Sequence, residues 1–273
     1  MRRIYWRVCS RRYDRRRLTR RATVRIMSVK VWITTAAMLI AGGMSMGTSA
    51  QPAAPSRPAL RATPTEPVVV ELFTAQGCSG CPDANRVVEA LADEPGVIAL
   101  TYAVDYWDYL GWPDTFARPE FAQRQRAYQS AMRLRGVYTP QIVIDGRRQL
   151  SGARGADVQL AIDEEAARRV FPPQIEFREA GDRVGIGSGR APEGGAEVWA
   201  VTYRPGPQSV TVSGGDNRGR VVRHMNVVSG LRRLGSWTGR PVLYDLPDSD
   251  AAEAVAVMVQ SRTDRRILTA ATL

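Results

Sequence analysis

The alternation of apolar and polar positions between 67 and 171 predicts short buried strands separated by amphipathic helices. The run VVVELF, 68–73, has the length and β-branched content of a buried strand. After Cys81, apolar residues recur at the i, i+3, i+4 and i+7 spacing of one helix face: Ala84, Val87, Val88 and Leu91. Similar patterns predict a strand at 97–104, a helix at 118–134, a strand hairpin at 141–152 and a helix at 157–170. Cys78 and Cys81 therefore stand on a turn between the first strand and the first helix.

From Pro172 onward the pattern changes to strand-length segments with no convincing helical periodicity. Turn-forming sequences such as APEGG, SGGDNRG and LPDSD separate these segments. The predicted strands are 174–179, 196–203, 221–228, 240–246 and 253–261. Regularly spaced strands of this kind favour an all-β domain, such as a small sandwich.

These elements together predict two domains. The order strand, cysteine turn, helix, strand, helix, hairpin, helix is the arrangement of thioredoxin. We therefore predict an α/β thioredoxin-like domain at 67–171, followed by a C-terminal all-β, sandwich-like domain at 172–273. The chain of 273 residues is long enough for both.

The charge distribution changes the interpretation of the N-terminal segment. The chain carries a net charge of +11, and residues 1–50 hold 12 basic residues and one acid. Beyond position 50 there remain 38 − 12 = 26 basic and 27 − 1 = 26 acidic residues, so the mature chain is neutral and we predict no nucleic-acid partner. Lys30, an apolar run at 31–41 and small residues up to Ala50 are typical of a secretory signal.

We therefore predict a signal peptide at 1–50, a flexible Pro- and Ala-rich tether at 51–66, and an exported protein that is periplasmic or secreted after cleavage. The apolar run is shorter than the roughly 20 residues that a membrane span needs. Membrane contact is therefore expected only through an uncleaved leader. Met27 is an alternative start to Met1.

Two of the three cysteines, Cys78 and Cys81, stand in C-x-x-C spacing, whereas Cys9 falls in the leader. In an oxidising compartment such a pair is expected to rest as a disulfide. The start of a helix favours a thiolate, so Cys78 is the predicted nucleophile and Cys81 the resolving cysteine. The small residues between them, Ser79 and Gly80, are expected to leave the sulfur of Cys78 accessible.

Two other interpretations of the cysteine pair remain open. An inert disulfide is one, although a four-residue loop stabilises a fold little by chain entropy. A soft metal such as copper, held by the two cysteines with the distant His224, is the other. His224 is otherwise expected to be a hydrogen-bonded polar group on a strand.

Further candidate site residues flank the cysteine turn. In the thioredoxin fold, the position of Pro140 holds a cis peptide beside the cysteines, and Thr139 before it offers its backbone to an extended substrate. Glu71 in the first strand is either a buried proton acceptor for Cys81 or an outward-facing, solvated carboxylate. An aromatic and acidic loop at 104–116 supplies either a substrate pocket wall or a cover for the core; its candidate residues are Asp105, Trp107 and Trp112.

The segments VVELFTAQGCSGCPDAN, VDYWDYLGWPDTFA, RQRAY, VYTPQIVIDG and NRGRVVRHMNVV resemble the domain-of-unknown-function 1223 family of secreted proteins. The resemblance implies export and a thioredoxin-like fold over nearly all of 67–273. One departure is Ala103, where the family commonly has histidine.

We therefore predict an exported thiol–disulfide oxidoreductase that acts on protein thiols and disulfides, with no cofactor besides its redox-active disulfide. The alternatives are a non-catalytic binding module with a structural disulfide and a copper-binding protein. The direction of the redox reaction, the physiological substrate and the oligomeric state are left open by the sequence.

Overall fold

The computed structural model of the chain describes residues 66–152, 154–169 and 171–273. The predicted signal peptide and all of the predicted tether except Glu66 lie outside these residues. None of the helices within the described ranges is both long and apolar enough to cross a membrane.

The described chain is a mixed α/β fold with one large sheet and one small sheet. The first part contains β1 (Val68–Thr74), α1 (Cys81–Leu91), β2 (Val97–Ala103), α2 (Pro119–Ala131), β3 (Gln141–Ile144), β4 (Arg148–Leu150) and α3 (Gly155–Ala166). The second part contains β5 (Ile175–Phe177), β6 (Arg183–Ile186), β7 (Ala196–Thr211), β8 (Val221–Trp237), β9 (Val242–Asp245), β10 (Ala254–Ser261) and β11 (Ile267–Thr272). Every helix and strand predicted between 67 and 171 is present.

The large sheet runs through both parts of the chain, in the order β11-β10-β7-β8-β2-β1-β3-β4. β1 pairs with β2 in parallel and with β3 antiparallel. Four strands from beyond position 172 extend this sheet from β2, where Thr101 pairs with Val227. Only β5, β6 and β9 form a separate sheet. The division at 171/172 thus stays a prediction about folding units, because the two parts share one sheet.

Two hydrophobic layers cover the faces of the large sheet near the cysteine turn. The alternation of β1 sends Val69 and Phe73 to the face that α2 covers through Phe121 and Tyr128. The other face of β1 packs against α1 and α3 in a second buried cluster. The far end of the sheet returns towards β1, since the N–H of Ile267 donates to the carbonyl of Asp145 at 2.7 Å. The sheet is therefore strongly curved around α2.

The hairpin formed by β7 and β8 is longer than the sequence pattern predicts. Its strands have 16 and 17 residues, and the Pro205–Gly206–Pro207 segment is absorbed as a register shift. The tip of this hairpin passes the beginning of α1, where the side-chain amide of Asn85 donates to the carbonyl of Arg223 at 2.9 Å. This path brings residues 212–220 to the cysteine turn. β6 and β11 were not predicted.

Candidate functional site

The cysteine turn joins the end of β1 to the beginning of α1. The N–H of Cys78 donates to the carbonyl of Ala75, and the N–H of Cys81 donates to the carbonyl of Cys78, both at 3.2 Å. Cys81 is the first residue of α1, and Pro82 follows it in the first turn, where a missing N–H costs no hydrogen bond. The turn is thus a compact backbone loop that sets Cys78 just ahead of the helix.

Both cysteines are free thiols in this structure, so the resting disulfide expected from the sequence is not formed here. The expectation of an accessible sulfur is also wrong, since Cys78 exposes only 3 % of its surface and Cys81 none. The exposed part of the turn is Ser79 and Gly80. The reason is that neighbouring loops pack against the turn and cover the sulfur that small residues alone would have left open.

The two thiols have opposite electrostatic environments. A hydrogen bond from the Cys81 side chain lowers the pKa of Cys78 to about 6, against the opposing effect of burial. The Thr139 hydroxyl and the backbone N–H groups of Gly80 and Cys81 lower this pKa further. Burial raises the pKa of Cys81, and the hydrogen bond to Cys78 raises it further. The pair can therefore hold one thiolate and one thiol near neutral pH.

The loop before β3 lies directly against this turn. The Thr139–Pro140 peptide bond is cis, as predicted. A Cβ atom placed on Gly80 would lie 3.5 Å from Cδ of Pro140, so the proline ring lies beside the exposed part of the turn. Within the described ranges, no hydrogen bond engages the backbone N–H or carbonyl of Thr139. The structure therefore brings Thr139, Pro140 and the two cysteines together.

The aromatic loop is anchored to the same turn through Gln76. The N–H of Gln76 donates to Oδ2 of Asp114 at 2.7 Å, and Nε1 of Trp112 donates to Oε1 of Gln76 at 2.8 Å. Nε1 of Trp107 donates to the Thr139 hydroxyl at 2.8 Å. Trp107 also packs against the hydrophobic core, which is one of the two roles considered for this loop, and its role in a substrate pocket stays a prediction.

Other residues of the aromatic loop are less directly connected to the cysteines. Asp105 is partly buried, and its carbonyl accepts a hydrogen bond from the N–H of Asp108. Tyr109, in a short 3-10 turn at Asp108–Leu110, exposes 80 % of its surface. Ala103, where the resembling family commonly has histidine, is buried and pairs with Thr74 at the end of β1. That position therefore lies close to Cys81, since the Thr74 hydroxyl contributes to the environment of its thiol.

A third loop, Gly214–Asn217 at the tip of the β7–β8 hairpin, completes the site, and the sequence did not predict it. Nδ2 of Asn217 donates to the carbonyl oxygens of Gln76 and Cys78, at 2.9 and 2.7 Å. In the sequence, SGGDNRG indicates only a turn. Local sequence patterns could not predict this contact, because Asn217 and Cys78 are 139 positions apart along the chain.

Glu71 is not the outward-facing carboxylate that was one of its two expected roles, and its role as a proton acceptor stays a prediction. It is fully buried, so it is not a solvated carboxylate. Nε and Nη2 of Arg124 donate to its two oxygens at 2.7 and 3.1 Å, and the Tyr128 hydroxyl also donates to it. Gln260 of β10 donates to the Tyr128 hydroxyl at 2.9 Å. The carboxylate is thus held in a buried network under α2.

His224 is on a strand, as predicted, but it is not hydrogen-bonded through its side chain. It exposes 1 % of its surface, and neither ring nitrogen has a partner among the described residues. Its ring packs edge-on against Phe116 with centroids 5.5 Å apart. Burial lowers the pKa of His224 to about 4, so the ring is neutral at physiological pH. No group of three or more His, Cys, Asp or Glu side chains suited to a metal is found in the described part of the chain.

Comparison with known proteins gives a match to one family model and two similar solved structures. The family model described as "Protein of unknown function (DUF1223)" matches residues 69–260. The crystal structure of protein AGR_C_4864 from Agrobacterium tumefaciens is 33 % identical, with a TM-score of 0.61, over 76 % of this chain and 93 % of that one. HBP35 of Porphyromonas gingivalis is similar in fold alone: it is 14 % identical, with a TM-score of 0.51, over 77 % of this chain and 76 % of that one. None of the curated proteins searched matches the chain.

Proposed function

The chain belongs to the DUF1223 family of proteins of unknown function, and we propose that this member is an exported thiol–disulfide oxidoreductase built on a thioredoxin-like fold. The observation that carries the proposal is the asymmetry of the cysteine pair. Cys78 has a pKa lowered to about 6 by the Cys81 thiol and by neighbouring donors, whereas burial raises that of Cys81. A nucleophilic thiolate beside a protonated resolving thiol is the arrangement that disulfide exchange requires.

The exchange reaction can be written with these two residues alone. The Cys78 thiolate attacks one sulfur of a partner disulfide; the partner S–S bond breaks and a mixed disulfide forms. Cys81 then attacks the Cys78 sulfur, and the partner leaves as a dithiol. Two electrons pass from the Cys78–Cys81 pair to the partner. The proton of Cys81 and one from solvent protonate the two released thiolates, and the reverse sequence oxidises a partner dithiol.

The loop before β3 supplies a place for the partner chain. Among the described residues the backbone of Thr139 has no hydrogen-bond partner, and Pro140 lies beside Gly80. An extended partner segment that pairs with the backbone of Thr139 would present its sulfur to Cys78 from the exposed side of the turn. Protein thiols and disulfides are therefore the proposed substrates, and the cysteine pair is the only redox group that the reaction needs.

The proposal is tested by trapping mixed disulfides in the full chain with Cys9→Ser as background. Cys81→Ser should accumulate covalent partners that dithiothreitol releases, because the resolving step is removed. Cys78→Ser should accumulate none. Equal trapping by both variants, or none by either in extracts of the exporting compartment, would contradict the exchange mechanism.

A non-catalytic binding module is the second candidate, and the exposed apolar side chains near the site favour it. Tyr109, Leu110 and Tyr138 expose 80, 37 and 37 % of their surfaces. Such side chains can bind a partner whether or not the thiols react. The candidates are separated by a variant with both Cys78 and Cys81 changed to serine: a binding module keeps its partner in a non-covalent pull-down, whereas an oxidoreductase loses its turnover of disulfides.

A further inference from the structure

The segment Gly214–Asn217 is in contact with the cysteine turn although it belongs to the C-terminal part of the chain. The N–H of Asp216 donates to the carbonyl of Gly77 at 3.0 Å. A Cβ atom added to Gly215, whose φ is +67°, would lie 2.8 Å from Cα of Gly77 and 3.0 Å from its oxygen. A Cβ atom on Gly214 would lie 2.8 Å from Cβ of Trp112. This loop thus fits between the cysteine turn and the aromatic loop, at a separation that only glycine permits.

Asn217 makes the central contact of this loop. It is fully buried, and its Nδ2 group donates one hydrogen bond to the carbonyl of Gln76 and one to that of Cys78. Its Oδ1 accepts from Nη1 of Arg220 at 2.9 Å. Because both carbonyls can only accept, the orientation of the amide is fixed by its partners. Both donors of its amide are thus used to hold the cysteine turn, and its oxygen is bound by Arg220.

We propose that Asn217 is a positioning residue for Cys78: it fixes the two carbonyl groups of the cysteine turn and so keeps the Cys78 sulfur within reach of its hydrogen-bond donors. This inference rests on the proposed thiol–disulfide exchange. The physical reason is that the Cys78 carbonyl begins the segment 78–81. The backbone N–H groups of Gly80 and Cys81 in this segment form hydrogen bonds to the Cys78 sulfur. Without Asn217 the Cys78 carbonyl is held only by the N–H of Cys81 at 3.2 Å, so the turn can shift, the N–H groups lose their alignment and the thiolate loses stabilisation.

The test is the pH profile of Cys78 alkylation by iodoacetamide, followed by mass spectrometry on the full chain with Cys9→Ser. Asn217→Ala should raise the midpoint by roughly one pH unit, which lowers the rate below the midpoint about tenfold. Gly215→Ala should act in the same direction, because the added methyl group displaces the loop without removing a hydrogen-bonding group. Arg220→Met, on the exposed side of Asn217, should give a smaller rise of the midpoint. This variant still tests the positioning role of Asn217 if Asn217→Ala or Gly215→Ala fails to fold.

Asn226→Ala is the matched control. The Nδ2 group of Asn226 also donates to a carbonyl of the N-terminal part, that of Ala99 at 3.0 Å, but it does not contact the cysteine turn. This variant should lose stability, because φ is +49° at this position and because Oδ1 of Asn226 also accepts from the N–H of Gly206 at 2.9 Å. The hairpin tip keeps the hydrogen bonds of Asn85 and Asn217 that hold it beside the cysteine turn, so the alkylation midpoint should not change. A merely structural role of Asn217 predicts the same behaviour for both variants.

The outcomes separate this inference from the function on which it rests. A wild-type midpoint near 6 together with unchanged midpoints in the folded Asn217→Ala and Gly215→Ala proteins would overturn the positioning role alone. A wild-type midpoint at the ordinary thiol value of about 9 would overturn the proposed function as well. A rise in the site variants, with the Asn226→Ala midpoint at the wild-type value, would support the inference.

Discussion

Replacing Thr139 with valine should weaken the thiolate of Cys78 without changing either cysteine. The Thr139 hydroxyl is one of the groups that lower the pKa of Cys78 to about 6. Nε1 of Trp107 donates to the same hydroxyl oxygen at 2.8 Å, so the hydroxyl proton is shared between the Cys78 sulfur and the Tyr106 hydroxyl. Valine keeps the shape of threonine but has neither donor nor acceptor, so both hydrogen bonds are lost together.

The size of the effect follows from the energy of a hydrogen bond to a charged group. Such a bond contributes about 1.5 to 3 kcal/mol, and about 1.4 kcal/mol corresponds to one pKa unit. The Cys81 hydrogen bond contributes more than that of Thr139, so we expect the lower end of the range. The pKa of Cys78 should rise from about 6 to about 7, which reduces the thiolate fraction at pH 6 from about one half to about one tenth.

The assay is the pH dependence of iodoacetamide alkylation, checked by thiolate absorbance in the ultraviolet. Thr139→Ser retains the hydroxyl and should keep the wild-type midpoint. Trp107→Phe removes only the N–H group that donates to the Thr139 hydroxyl, so it should raise the alkylation midpoint less than Thr139→Val does. If Thr139→Val has the wild-type midpoint, the hydroxyl does not stabilise the thiolate, and the reasoning from this geometry is refuted.

Three further predictions concern burial. His224 has a folded-state pKa of about 4 against an ordinary value of 6.5, so the unfolded chain binds a proton on this residue at higher pH than the folded chain does. The free energy of unfolding should therefore fall by up to about 3 kcal/mol as the pH drops from 6.5 to about 4. His224→Phe should remove this part of the pH dependence in urea titrations, and an unchanged dependence would contradict the prediction. Arg124→Met leaves the buried Glu71 carboxylate without its ion-pair partner and should lower the free energy of unfolding by about 3 to 5 kcal/mol. The double variant with Glu71→Met should recover most of this loss. Chemical denaturation of the wild type and both variants measures these changes, and equal stability of the single and double variants would count against the ion pair. Since Cys78 exposes only 3 % of its surface, folding should slow its reaction with a bulky maleimide by a larger factor than its reaction with iodoacetamide, each rate being compared with that of the same reagent in urea. Equal slowing factors for the two reagents would mean that the turn opens readily.

Local sequence patterns were sufficient for the cysteine turn and its immediate supports. Spacing and periodicity placed Cys78 and Cys81 at the start of a helix. The cis peptide before Pro140 was expected from the resemblance to the thioredoxin fold, not from the proline itself. The sequence also carries a pattern that predicts the ion pair of Glu71 with Arg124. The alternation of β1 puts Glu71 on the face of Phe73, and the helical spacing of α2 puts Arg124 beside Tyr128, so the two charged residues face each other across a buried layer.

Contacts between distant parts of the chain are what the sequence could not supply. Helical and strand periodicities report which face of an element is buried, but not which loop ends beside which. The Pro205–Gly206–Pro207 segment reads as an interruption, so the pattern predicts a strand that ends at 203. In the structure a register shift carries the hairpin past it, and the N–H of Gly206 is bound by Oδ1 of Asn226 at 2.9 Å. Only this extension allows the hairpin tip to reach the cysteine turn.

Two separate contacts join the C-terminal part of the chain to the surroundings of the cysteines. Gln260 of β10 contacts the Glu71–Arg124–Tyr128 network, which lies beneath the strand that leads into the cysteine turn. Asn217 fixes the carbonyl groups of the turn itself. A fragment that ended near position 171 would lack both contacts and would leave buried polar groups without partners at the base and at the rim of the site. The reactivity of Cys78 is therefore expected to depend on residues beyond 172, although both cysteines lie within the first part of the chain.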